Sequence, residues 1–197
     1  MRKLILLGWL LIPLVALAYH KGPGQRKMRL DQIDRILAQA EEHAASEEWS
    51  EAELKYEDAL DRLPQDLVNQ RRRVRLERAK AQMLARKLPD AHQDLKGLVD
   101  EMKEDENADQ DLLDETRATL ANSQYYLTWL MRLEGQPEEK WKPEIEAARQ
   151  TFRLLAEKSE TAGDDASKKR NQEDLESAIR LARMDLSELQ GLPLPSQ

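Results

Sequence analysis

Apolar side chains recur along most of this chain at helical spacing, in stripes separated by polar and charged positions. Leu30, Ile33, Leu37, Ala40 and Ala44 fall at offsets 0, 3, 7, 10 and 14, which predicts a helix over Leu30 to Ser46. Ala52, Tyr56, Ala59, Leu60 and Leu63 follow at offsets 0, 4, 7, 8 and 11, predicting a second helix with Ser50 as its N-cap and Pro64 as its stop. That second frame returns. Ala91, Leu95, Leu98, Val99 and Met102 repeat all of its offsets; Ala148, Phe152, Leu155 and Ala156 repeat the first four, with Ser159 at the last. Pro89 and Pro143 precede these two copies, at positions where a helix can begin.

A longer helix is expected before each later copy. One, near Leu67 to Lys87, carries Leu67, Val74, Ala81, Leu84 and Leu88. The other, near Gln110 to Leu133, carries Leu113, Thr116, Leu120, Ser123, Leu127 and Leu130, and Gly135-Gln136-Pro137 closes it. Trp141 is placed to pack back on Ile145 as a staple. A small, polar stretch over 161–168, containing Gly163, reads as a linker. Leu175, Ile179, Ala182, Leu186 and Leu189 then mark a last helix over 169–191, ended by Gly191, with an extended tail over 192–197.

The stretch from Leu30 to Pro64 resembles a tetratricopeptide repeat. Ala52, Tyr56, Ala59 and Pro64 match the closing half of that family's pattern, Trp49 stands where an aromatic residue is usual, and Ala40 suits the small-residue position. Ile36, Gln39 and His43 depart from it in the first half. The leading alanines are 39 and 57 residues apart, against about 34 in the family, so the later copies read as degenerate repeats with insertions. The resemblance implies an all-α fold of antiparallel helix hairpins, stacked over 30–160 as a short solenoid with 169–191 as its cap. It implies a binding module whose inner groove receives a partner peptide.

Residues 1–18 are of a different kind. A basic start, Arg2 and Lys3, leads into an apolar run from Leu4 to Ala18, and Ala16-Leu17-Ala18 offers a small-x-small cleavage pattern. As a helix this run spans roughly 23 Å, short of a roughly 30 Å hydrocarbon core, which favours a cleaved signal peptide. Lys21, Arg26, Lys27 and Arg29 follow closely and favour an uncleaved anchor, with residues 19–29 as a flexible basic stalk. Either way the leader directs the protein to a membrane or cell envelope.

Charge and composition narrow the function. Charged residues make up 35% of the 197 and aromatic ones 5%, the balance of long solvated helices rather than strands. Without Arg2 and Lys3, 29 basic side chains stand against 38 acidic ones, a net charge of −9 that argues against nucleic acid as partner. The absence of cysteine removes disulfides, thiolate metal sites and a cysteine nucleophile. His20, His43 and His92 form no metal-ligand spacing, and no phosphate-binding loop or nucleophile elbow occurs. No catalytic residue, cofactor, metal or small-molecule substrate is therefore expected.

Two groups are candidates for partner contact. Arg71, Arg75 and Arg78 share one face of a helix rich in arginine, suited to forked hydrogen bonds with carboxylates of a partner. The alternative is pairing with the acidic segment Asp100 to Glu106 or with neighbouring helices. Tyr125 and Trp129, beside Tyr126, form an aromatic group opposite the Leu113–Leu130 stripe, either as a binding wall or as the second buried face of a sandwiched helix. The function expected is a membrane- or envelope-associated adaptor for a partner protein or peptide. The alternative is a structural, self-associating helical bundle.

Overall fold

The computed structural model describes residues 23–190, and every regular element among them is helical. The leader at 1–18, the stalk before Pro23 and the tail lie outside the described residues. The helices are α1 (Pro23–Ala45), α2 (Trp49–Arg62), α3 (Val68–Leu84), α4 (Leu88–Glu104), α5 (Gln110–Leu133), α6 (Glu138–Ala162), α7 (Asp165–Arg183) and α8 (Leu186–Gln190). No described helix is long and apolar enough to cross a membrane. The chain divides into two compact units, one ending at Leu67 and the other starting at Val68.

In the first unit α1 and α2 form an antiparallel hairpin. Ile33, Ile36 and Ala40 are buried on α1, and Ala52, Tyr56, Ala59 and Leu60 on α2. In the second unit α3 to α7 pack in chain order, each against the next, with α8 against α5. All five positions of the recurring frame are buried in both complete copies. Its leading residues, Ala52, Ala91 and Ala148, are each 0% exposed, because a methyl group there lets helix backbones approach closely.

The turns inside the hairpins share one geometry. Glu47, Arg86 and Gly135 adopt left-handed φ values of 60°, 65° and 69°, and Gly163 between α6 and α7 adopts 72°. After each, a backbone N–H reaches back five residues. Glu48 donates to the His43 carbonyl at 2.9 Å, Lys87 to Gln82 at 2.9 Å, Gln136 to Met131 at 2.8 Å and Asp164 to Ser159 at 2.9 Å. This is the Schellman closure, which satisfies carbonyls the ending helix would otherwise leave open.

Several boundaries depart from the sequence pattern. Helix α1 starts at Pro23, so the stretch expected as flexible stalk is helical from there on. Proline is tolerated in a first turn, and Gln25, Arg26, Lys27, Met28 and Arg29 are all good helix formers without an apolar stripe. Helix α2 starts at Trp49 with Glu48 at its N-cap, so Ser50 lies inside the helix and caps nothing. Pro143 and Trp141 also lie inside a helix, α6. The expected linker narrows to Gly163 and Asp164, since the Asp164 carboxylate accepts from the Ser167 N–H at 3.0 Å and starts α7 there. The last helix is broken at Met184, whose extended backbone (ψ 144°) separates α7 from α8.

Candidate partner-binding surfaces

Helix α3 carries its arginines between two buried stripes. Leu76, Ala79 and Met83 enter the core shared with α4 and α5, and Val74 and Ala81 are buried on another face. The surprise is Arg72, which no periodicity singled out. Its side chain is 6% exposed, with Nε 2.9 Å from Glu101 and Nη1 2.7 Å from Asp105. Arg75 bonds the other carboxylate oxygen of Glu101, and Arg78 Nη2 lies 3.1 Å from Asp94. Asp94 and Glu101 lie on α4 and Asp105 caps its C-terminal end, so the basic helix is zipped to the acidic one beside it. Lys80 adds bonds to Glu77 at 2.8 Å and to Glu115 on α5 at 2.7 Å.

The charges set each other's proton affinity. Burial would raise the Glu101 carboxyl, but hydrogen bonds from Arg75 and Arg72 overcome it and hold the group below the usual carboxylate range. The Arg72 bond and the Asn107 N–H likewise hold Asp105 low. Burial works to lower Lys80, and its bonds to Glu115 and Glu77 raise it on balance. Arg71 is half-buried on the same helix. Thus Arg75 and Arg78 share a face, as their spacing requires, and both engage carboxylates of α4.

The aromatic group divides. Trp129 is 5% exposed, inside the core formed with Phe152, Ile145, Ala178 and Leu181, so it occupies an interior position rather than a free wall. Tyr125 is half-buried at the edge of that core, edge-on to Tyr126 with ring centroids 5.5 Å apart. Burial raises both phenols above their ordinary range. Helix α5 thereby buries two sides: Leu112, Leu113, Leu120 and Leu127 toward the α4 core, Ala121 and Trp129 toward that of α6 and α7.

Arg132 ties this second core shut. Its two terminal nitrogens donate to the carbonyls of Leu181 and Met184 at the end of α7, and its guanidinium lies 4.8 Å over the Trp141 ring. Trp141 packs on the cluster holding Ile145, the neighbour its position suggested, although it does so from within α6.

A polar cavity of about 450 Å³ opens between α5, α6 and α7. Asp111, Glu115 and Asn122 line it from α5, Lys158 from α6, and Asn171 and Asp174 from α7. Burial pushes the Asp174 carboxyl up, against the pull of Arg170. Among the described residues no three histidine or carboxylate side chains come together as a metal site. No protein-family model matches the chain, and no curated protein matches it.

Proposed function

We propose that this protein is an adaptor, a short stack of helix hairpins directed to a membrane or cell envelope by its N-terminal segment, which binds a partner protein or peptide. The recurrence of one buried frame supports this reading: Ala52, Ala91 and Ala148 each lie on a second helix at 0% exposure, and a left-handed turn joins each of these helices to the one before it. Units that repeat in this way present a row of helices as an extended surface, which suits protein recognition. The cavity of about 450 Å³ between α5, α6 and α7 is a further candidate for contact with a partner. Arg71, Arg75 and Arg78 would serve a partner's carboxylates only by exchanging bonds, since Arg75 and Arg78 already hold Glu101 and Asp94.

The test is purification of the tagged full-length protein from its native membranes, with intact mass recorded on the same sample. An adaptor brings down a second protein in fixed stoichiometry, and the mass reports whether residues 1–18 remain. Recovery alone, or only with further copies of itself, overturns the adaptor reading in favour of a structural bundle.

A further inference from the structure

His92 is the histidine that neither the hairpin frame nor the arginine ridge accounts for, and it stands where three helices meet. It projects from α4 with its side chain 14% exposed. Its Nδ1 lies 3.1 Å from Ser123 Oγ on α5, and its Nε2 lies 3.7 Å from a carboxylate oxygen of Glu144 on α6. Gln124 of α5 donates its side-chain N–H to that same Glu144 oxygen at 3.1 Å. Such a serine, histidine and carboxylate invite comparison with a hydrolase, but Ser123 is fully buried and its hydroxyl donates to the Leu120 carbonyl at 2.7 Å. It attacks nothing.

That committed hydroxyl fixes the imidazole. With its one proton spent on Leu120, Ser123 Oγ can only accept from His92, so Nδ1 carries the ring proton and Nε2 presents its lone pair to Glu144. A separation of 3.7 Å is too long for a hydrogen bond and fits two acceptors facing each other. Protonation at Nε2 turns the pair into donor and acceptor and gives Glu144 a reason to shift from Gln124 toward the ring.

We propose that His92 is a proton-operated joint binding α4 to α5 and α6, so that acidification alters the coupling between the hairpin ending in α4 and the one that follows it. The charged groups facing the ring are Glu144 from α6 and Lys96 from its own helix, while α5 contributes the neutral Ser123 and Gln124. Burial disfavours the imidazolium; Glu144 favours it in part, and Lys96 opposes it again, so the ring is held below the ordinary histidine range. A folded-state value below the unfolded one means the unfolded chain takes up the proton first. Stability is then full above about pH 6.5, the unfolded value, and falls as pH drops below it toward the folded value.

The experiment is an NMR titration of the full chain labelled at histidine, with His92→Gln used to assign the resonance. The His92 midpoint is expected below about 6.5, and Glu144→Gln should lower it further by removing the one group that favours the charged ring. Thermal unfolding of the same proteins should show the parent losing stability relative to His92→Gln between pH 7 and pH 5. A His92 midpoint at or above about 6.5, or one that Glu144→Gln leaves in place, overturns the joint. Should His92→Gln fail to fold, the midpoint shift in Glu144→Gln still decides.

Discussion

The same change, glycine to alanine, should have opposite effects at three places in the second unit. An added methyl at Gly97, Gly135 or Gly163 meets nothing within 4 Å, so crowding is removed as an explanation. What differs is the backbone. Gly97 lies within α4, whereas Gly135 and Gly163 hold φ values of 69° and 72° in the turns after α5 and α6. At Gly97 alanine improves helix propensity and restrains the unfolded chain, for a gain of about 1 kcal/mol. At Gly135 and Gly163 alanine must enter the left-handed region, at a cost of about 1–2 kcal/mol, against roughly 0.4–1 kcal/mol returned through the unfolded chain. The net expectation there is a loss of roughly 0.5–1 kcal/mol. Arg86→Gly, at φ 65°, should run in reverse and stabilise by a similar amount. Urea unfolding followed by far-UV circular dichroism resolves these differences, as 1 kcal/mol moves a midpoint by about 0.3–1 M at unchanged slope. If Gly135→Ala and Gly163→Ala stabilise in step with Gly97→Ala, the left-handed turns are wrong, and with them the shared hairpin closure.

Further outcomes follow from burial and charge. Phe152→Ala, removing a ring 1% exposed at the centre of the α5–α6–α7 core, should cost about 3–5 kcal/mol in the same assay. Leu154→Ala, two positions on and 49% exposed, should stay within about 0.5 kcal/mol. The Glu101 carboxyl, held low by Arg75 and Arg72, contributes stability that is present above its unfolded value of about 4.3 and lost as pH falls through the folded one. Arg72→Met should move that acid loss to higher pH, seen in urea midpoints recorded between pH 3 and pH 6; an unchanged acid limb would mean Arg72 does not hold Glu101.

The parts of this fold that could be read in advance are those written in local spacing. Ala91, Leu95, Leu98, Val99 and Met102 announced the buried face of α4 because one helix period places them together. The start of α1 was hidden because its first turns carry charge instead of an apolar stripe, and helix propensity alone leaves little pattern. On α3 the arginines interrupt the stripe of Leu76, Ala79 and Met83, so Val74 and Ala81 looked like the core face when both faces are buried. Arg72 was beyond reach for a different reason. Its carboxylates lie 29 and 33 residues further along the chain, and only packing reveals which of several neighbouring arginines turns inward. The same holds for His92, whose partners come from two other helices.

The two-sided burial of α5 bears on how the chain is made. Synthesis delivers residues from the N-terminus, so the Leu113 side of α5 finds α4 already available, while the Trp129 side waits for Phe152 and Leu181. Arg132 waits as well, because its carbonyl partners lie 49 and 52 residues downstream. At ribosomal speeds of about 5–20 residues per second, that leaves an apolar half-helix and an unengaged guanidinium uncovered for roughly 3–10 s. A ribosome stalled before Leu181 would hold α5 in that half-covered state.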